Sequence, residues 1–246
     1  MKDFSIHALL LAAGYGKRLR PITNDIPKCL VKIGGSSLLE LWIAKLIQSN
    51  VRSVLINTHY LSEKVNLFLN PRLLNKYKEI KIQISHEENL LGTAKTMINN
   101  KEFFRNKIGL LIHADNFYEG DLSNFLKAHF NRPKKCLLTM LTFKTDNPKS
   151  CGVVEIDSEG IVNKFYEKVE NPPTNLANAA IYAFDNNFID WIEEYTGSAN
   201  DFSNDILPKL LGRIYTYKTS EFFADIGTPK MLEKANDFVN RKNINK

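Results

Sequence analysis

Arg18 and Lys28 stand ten residues apart in a segment that also holds Gly14 and Gly16, and the segment opens directly after a short apolar run. Two glycines let a backbone approach an anion closely and aim its amide hydrogens at it. A guanidinium can then grip phosphate oxygens in a bidentate way, while an ammonium acts as a point charge at a reacting phosphate. Together these groups suit a triphosphate. A glycine pair after a strand is by itself shared by dinucleotide-binding folds, kinases and plain turns. Here Leu19 falls where the third glycine of a dinucleotide fingerprint would stand, and no Lys-Ser or Lys-Thr follows as in a P-loop. A solvated loop with ordinary surface cations remains the alternative for these residues alone.

Acidic candidates lie further along. Asp115 follows the apolar run Gly109 to His113, so a carboxylate emerges at the C-terminal end of an expected buried strand, where open α/β sheets bind ligands. Asp225 precedes Ile226-Gly227-Thr228-Pro229. Magnesium takes a few carboxylate oxygens plus phosphate and water, so two aspartates meeting over a triphosphate would suffice. An aspartate just before a glycine is also an ordinary turn former. Glu87-Glu88-Asn89-Leu90-Leu91-Gly92-Thr93-Ala94 joins a strand to a helix expected to begin near Thr93, a loop that could read a base or merely carry charge at a helix N-terminus.

These residues need a frame. Short β-branched or leucine-rich runs at Ile6 to Leu11, Ser53 to Asn57, Ile80 to Ile84 and Gly109 to His113 predict strands. Between them Leu38 to Gln48, Ser62 to Leu69 and Asp121 to Phe130 predict amphipathic helices, the βαβ signature of a mostly parallel sheet. Later, Lys135 to Phe143 and Asn175 to Phe184 read as strands, and Cys151 to Ile156 with Ile161 to Tyr166 flank a hairpin turn at Asp157-Ser158-Glu159-Gly160. Helices are expected at Phe188 to Tyr195, Asp201 to Leu210 and Pro229 to Asn240, the last opened by proline. One domain over residues 1–240 is the expectation, with residues 1–134 mainly nucleotide-binding, 135–220 mainly sugar-phosphate-binding, 221–240 closing, and a frayed polar tail at 241–246.

Composition narrows the partners. Hydrophobic residues at 43% and charged residues at 24% of 246 residues fit an ordinary soluble globular chain. The apolar stretch His7 to Ala13 is far short of the roughly 20 residues that span a bilayer, so no membrane is expected. A net charge of +6 is spread through all elements without a basic block interleaved with aromatics, which argues against nucleic acid and suits anionic substrates. Cys29, Cys136 and Cys151 are odd in number and far apart, fitting neither a disulfide framework nor a zinc cluster and pointing to a reducing cytoplasm.

The run Gly14-x-Gly16-x-Arg18-Leu19-x-Pro21-x-Thr23 followed by Pro27-Lys28 resembles the signature loop of the sugar-phosphate nucleotidylyltransferases. Matching segments extend from Leu9 to Asn236, nearly the whole chain. The resemblance implies an α/β, Rossmann-like three-layer αβα nucleotidyltransferase fold with a mostly parallel central sheet and a smaller sugar-binding β region. It places Leu11, Ala13, Gly14, Gly16, Glu87, Gly92 and Thr93 on the nucleotide, Arg18 on the leaving pyrophosphate and Lys28 at the reacting phosphates, both as catalytic residues. Asp115 and Asp225 would hold Mg²⁺. Asn116, Gly152, Glu167, Lys168 and Asn178 would bind the sugar 1-phosphate. Two departures touch that last pocket: Val169 stands where such relatives usually carry proline, and Ala180 replaces a frequent glycine.

On this resemblance the expected partners are a nucleoside triphosphate and a sugar 1-phosphate, joined by in-line attack on the α-phosphorus without a side-chain nucleophile. Glu87 and Glu88 suit guanine, whose N1–H and amino group both donate, which favours GTP, with mannose 1-phosphate ahead of heptose 1-phosphate. Cytidylyl, uridylyl or thymidylyl transfer to another phosphorylated sugar or alcohol is the alternative, as is a regulator that binds nucleotide sugars without making them. A dehydrogenase lacks support, because the third glycine and an acid ending the second strand are missing. Monomer and homo-oligomer both stay open, since such relatives often dimerise or tetramerise.

Overall fold

The computed structural model describes residues 5–195 and 198–244, which divide into two compact units that interleave along the chain. The first comprises Met1–Leu9, Leu91–Ile112 and Gly120–Glu221, and the second Leu10–Leu90, His113–Glu119 and Phe222–Lys246. The strand Ile6–Leu11 begins in the first and ends in the second.

In the first unit the strand Leu176–Phe184 is the hub. It runs antiparallel to Ile108–His113 and to Leu138–Lys144, and touches Gly152–Ile156 through Ala177 opposite Val153. Gly152–Ile156 and Val162–Glu167 form the expected hairpin. Its turn is tied by the Asp157 carboxylate, which accepts from the Glu159 and Ile161 amides at 2.9 Å each, while Gly160 takes the left-handed φ of +79° that closes it. Ile214–Thr219 adds a parallel strand to Leu138–Lys144. The fully buried rings of Phe104, Phe184, Phe188 and Phe202 pack beside this hub, with Phe184 5.0 Å from both Phe104 and Phe188.

In the second unit Ser53–Thr58, buried along its whole length, pairs in parallel with the half-exposed Lys81–His86. The helix Leu38–Gln48 starts where the Ser37 hydroxyl accepts from the Glu40 amide at 3.1 Å, and it buries Leu38, Leu39, Trp42, Ile43 and Leu46. A second core gathers Leu19, Val31, Ile33, Leu38, Phe117, Ala224, Ile226 and Ala235. The closing helix Pro229–Ile244 lays Met231, Leu232, Phe238 and Val239 against it, and Phe222 stacks on Phe238 at 4.2 Å.

The α/β class holds, and the sheet is mixed, since hairpin and strand-return connections through Leu176–Phe184 impose antiparallel pairs. Strand ends move by a few residues: Lys81–His86 lies later than expected, and Leu138–Lys144 starts late because a turn from Pro133 to Cys136 takes up the first residues. The helix expected over Asp201 to Leu210 is instead a π-helical turn at Phe202–Ile206 and a tighter turn at Leu207–Leu210, since Pro208 supplies no N–H to continue an α-helix. The last helix outruns Asn240 and continues to Ile244, while residues 245–246 lie outside the described residues. Pro71–Lys76, a helix capped by Asn70, has no counterpart among the expected elements. Among the described residues no helix is long and apolar enough to cross a membrane.

His129, on the helix Leu122–Phe130, is fully buried and meets the Thr139 hydroxyl at 2.9 Å. Burial first, and then the Arg132 charge, pulls its pKa down to about 3. The unfolded chain therefore takes up this proton near pH 6.5 while the folded chain resists it. Stability from this group is complete above pH ~6.5 and falls towards pH 3, by up to about 1.4 kcal/mol per pH unit. In urea unfolding, His129→Gln is expected to flatten the stability profile between pH ~6.5 and ~4 relative to the parent chain.

Candidate active site

The glycine loop is moored at both ends in the second unit. Its start is held by the Ala12 amide, which donates to Asn57 Oδ1 at 2.6 Å. Its end is held by Leu19, which is fully buried in the second core. Between them Gly16 takes a φ of +64°, its carbonyl accepts from the Thr23 hydroxyl at 2.8 Å, and an added Cβ would meet Thr23 Cγ2 at 2.9 Å. The fold itself thus demands glycine at position 16. At Gly14 an added Cβ would touch no atom of the chain, so the fold makes no such demand there. Leu11 accepts from the Ala114 amide at 3.1 Å and Ala13 is buried, which sets the base of the loop.

Arg18 projects from the loop with its side chain 64% exposed and donates to Asp225 Oδ2 at 3.3 Å. Lys28 does the opposite: its side chain is 9% exposed, and its ammonium donates to Asp115 Oδ2 at 2.5 Å and to Asp225 Oδ1 at 3.1 Å. Burial pulls the Lys28 pKa down, but the charges and hydrogen bonds of the two aspartates outweigh it and hold the ammonium above its usual range. Burial likewise pushes Asp115 up, and Lys28 and then His113 more than reverse it, so this carboxyl stays below the ordinary range. Cys29 beside Lys28 has its thiol pushed up to about 12 by burial, which rules it out as a thiolate nucleophile at neutral pH.

Two short strands bring the aspartates together. Asn116–Tyr118 pairs antiparallel with Phe223–Asp225, putting Asp225 opposite Asn116, next in sequence to Asp115. The Ile226 amide donates to the Asp115 carbonyl at 3.1 Å and extends the ladder. Asn116 is itself buried, and its carbonyl accepts from the Trp42 indole at 2.8 Å. Gly227 permits the close approach, for a Cβ there would lie 2.8 Å from Arg18 Nη2 and 3.1 Å from Asp225 Oδ2. Neither this strand pair nor the part played by Gly227 is apparent in the sequence, although Phe223 to Pro229 marks the place.

Glu87 is also in the second unit and only 4% exposed; its Oε1 accepts from Asn57 Nδ2 at 2.8 Å. Glu88 is exposed. Asn57 is not among the residues that the sequence singles out, though it lies near the C-terminal end of a buried strand, the same criterion that finds Asp115.

The remaining candidates fall in the first unit. Gly92, at φ +91°, would place a Cβ 2.5 Å from the Asn200 carbonyl oxygen, and the Ala94 amide donates to that carbonyl at 2.9 Å. The Thr93 hydroxyl accepts from the Phe202 amide at 2.7 Å and donates to Asp201 at 3.3 Å. Gly92 and Thr93 therefore clamp the segment around Asn200. Gly152 lies opposite Glu167 across the hairpin, where a Cβ would strike Glu167 Oε2 at 2.5 Å. Glu167 pairs with the Lys168 ammonium at 2.9 Å, and Lys168 takes a φ of +50°. Asn178 Oδ1 accepts from the Ala180 amide at 2.9 Å, and its Nδ2 donates to the Tyr182 hydroxyl at 2.6 Å. Burial raises the Tyr182 pKa, keeping that phenol neutral.

Known proteins decide the family. The model of the nucleotidyl transferase family matches residues 7–242. This chain belongs to that family. It is 29% identical to the mannose-1-phosphate guanylyltransferase of Mycobacterium tuberculosis over 94% of this chain and 63% of that protein. It is 30% identical to the bifunctional protein GlmU of Methanocaldococcus jannaschii over 94% of this chain and 54% of that one. The chain thus spans 54 to 63% of the length of these curated relatives. Among solved structures, HddC from Yersinia pseudotuberculosis superposes with a TM-score of 0.78 at 25% identity, covering 95% of this chain and 99% of that one. A Bacillus anthracis structure in complex with sucrose gives a TM-score of 0.82 at 22% identity over 95% of each chain, and shows the same Rossmann-like α/β fold.

Ala180 has a φ of +51°, at the irregularity between Asn178 and Tyr182. A left-handed non-glycine residue costs about 1 to 2 kcal/mol, so Ala180→Gly is expected to raise stability by up to about 1 kcal/mol in chemical denaturation. Of the two loop glycines, Gly16→Ala should lower the melting temperature by several degrees and Gly14→Ala should leave it within about one degree.

Proposed function

We propose that this nucleotidyl transferase family member condenses a nucleoside triphosphate with a sugar 1-phosphate, releasing pyrophosphate and a nucleotide sugar. The observation that carries the reading is the convergence of Arg18, Lys28, Asp115 and Asp225 beside a glycine loop, within one unit and from three separate stretches of chain. A phosphate monoester is already ionised at neutral pH, so the acceptor oxygen needs no side-chain nucleophile or base. The work left to the protein is to hold that oxygen in line with the α-phosphorus and to neutralise charge as pyrophosphate departs. Arg18, exposed on its loop, binds the leaving pyrophosphate. Lys28, fixed and kept charged by its carboxylates, serves the reacting phosphates. The amides around Gly14 take phosphate oxygens, which explains a glycine where the fold requires none.

A Mg²⁺ ion fits the donor set. Asp115 and Asp225 present hard oxygen ligands to one and the same ammonium, and magnesium asks for one or two carboxylates with phosphate and water completing its shell. When bound, the ion would supply Lewis-acid neutralisation of the triphosphate.

For the base, Glu87 is the acid best matched to guanine. The relative named mannose-1-phosphate guanylyltransferase and the HddC structure complexed with GMP-PN both favour a guanine nucleotide, and the former favours mannose 1-phosphate. On the sugar side Gly152, Glu167, Lys168 and Asn178 of the first unit offer the amide, carboxylate and ammonium groups that hydroxyls and one phosphate require. A cytoplasmic place in nucleotide-sugar and polysaccharide precursor synthesis follows from such substrates.

The reading is tested by measuring pyrophosphate release with GTP, ATP, CTP and UTP against mannose, glucose and heptose 1-phosphates. GTP with mannose 1-phosphate is expected to turn over fastest, and a clean, folded preparation inert with every pair refutes the reading. Arg18→Ala should cut kcat by about 100-fold or more without loss of the fold. Asp225→Asn should shift the magnesium titration to at least about tenfold higher concentration, and an unchanged titration removes Asp225 from the metal.

A further inference from the structure

Asn57 has a position that the reaction as described does not use. It lies in the buried strand Ser53–Thr58 with 3% exposure, and its side chain links two segments that reach it from opposite directions. Asn57 Oδ1 accepts from the Ala12 amide at 2.6 Å, and Asn57 Nδ2 donates to Glu87 Oε1 at 2.8 Å. Ala12 opens the loop that carries Gly14, Gly16 and Arg18. Glu87 is the acid matched to the base. One planar amide therefore sets the distance between them.

The surrounding bonds strengthen this link. The Glu87 amide donates to the Thr58 carbonyl at 2.8 Å, and the Glu87 carbonyl accepts from His59 Nδ1 at 2.8 Å. Since Nδ1 must donate to a carbonyl, neutral His59 presents Nε2 as an acceptor, and the Tyr15 hydroxyl lies 3.2 Å from it. Tyr15 stands between the two loop glycines, so loop and acid are joined a second time. At position 57 an aspartate would set two carboxylates against each other, and a leucine would remove the bonds to both the Ala12 amide and the Glu87 carboxylate. A short side-chain amide meets both demands at once.

We infer that Asn57 is a positioning residue for nucleotide recognition: it fixes Glu87 and the phosphate loop in one register, so that base and phosphates are read as a single rigid object. This rests on the proposed function, in which the loop and Glu87 take the same nucleotide. It predicts that the residue governs nucleotide affinity and base discrimination while leaving the sugar phosphate alone.

The test compares Asn57→Asp, Asn57→Ser, Glu87→Gln and the exchanged pair Asn57→Asp/Glu87→Gln, with folding checked by thermal melting. KM is measured for GTP and for mannose 1-phosphate, and kcat/KM for GTP against ATP; if another pair turns over faster in the parent, that pair is used. Asn57→Asp is expected to raise the triphosphate KM about tenfold or more, to move the base preference towards unity, and to keep the sugar-phosphate KM within about threefold. The exchanged pair, with donor and acceptor swapped, should recover most of the lost triphosphate affinity. Asn57→Ser, which removes the amide without adding charge, should show the same split should the aspartate variant not fold. If both Asn57 variants keep the parent KM and base preference while Glu87→Gln changes that preference, the positioning role is refuted and the nucleotide reading stands. Equal rises in both KM values together with a lower melting temperature also refute it, since that marks a purely structural residue. If Glu87→Gln leaves base preference unchanged, the base assignment fails and the inference fails with it.

Discussion

A lysine ammonium that is nine-tenths buried has to be paired, because an isolated buried charge costs several kcal/mol even after the protein relaxes around it. Lys28 is such a charge, and its need for partners constrains the second unit. Its two carboxylates come from residues far away in the chain, so the short strands that carry them must align in one register. Apolar alternation supplies that register: Phe117 and Ala224 sit opposite each other and face the second core with Leu19 and Ile226, which turns Asp225 the other way, towards Arg18 and Lys28. A slip of Phe223–Asp225 by one residue would send that carboxylate into the core and leave the ammonium with Asp115 alone. Packing and charge therefore specify the same arrangement, and neither could be changed without loss of the other.

Glycines mark where this arrangement becomes tight. Gly16 is required by the chain's own atoms, through its left-handed φ and Thr23, whereas at Gly227 a Cβ would crowd the ends of the Arg18–Asp225 pair. Gly14 is required by nothing in the chain, which shifts the reason for a glycine there from folding to whatever approaches the loop. The same distinction separates Gly92 and Gly152, both of which would collide with protein atoms, from Gly14, which would not. Motif glycines that look equivalent in a sequence thus do different physical jobs.

Much of this arrangement is legible in the amino-acid sequence. The helix Leu38–Gln48 and the strand Ile6–Leu11 follow from the sequence pattern to the residue, although Lys45 interrupts the apolar spacing of the helix. The pairing of Asn116–Tyr118 with Phe223–Asp225 is not legible there, since three-residue strands carry too little alternation to announce themselves and their partners lie about a hundred residues apart. Asp201 to Leu210 misleads because its apolar spacing is helical while Pro208 removes the donor that an α-helix needs. Among site residues, charged ones with a motif around them stand out, whereas Asn57 does not. An asparagine inside an apolar strand has no signature until its two partners are seen.

The two sets of candidate residues also differ in kind, and the difference bears on what each can bind. In the second unit the groups are ionic and mutually neutralising, two cations against two carboxylates, so an incoming polyanion or metal must exchange partners with charges already satisfied. In the first unit Asn178 spends one donor on Tyr182 and one acceptor on the Ala180 amide, which leaves an amide hydrogen and a carbonyl lone pair within its four-bond capacity. Such residual, uncharged capacity suits hydroxyls, whose donor and acceptor can both be met by one amide. The left-handed Ala180 is what turns the backbone so that its amide meets Asn178, and the strain accepted there keeps this side chain in a fixed orientation. Charge exchange on one set and fixed neutral hydrogen bonding on the other are two physically different kinds of recognition.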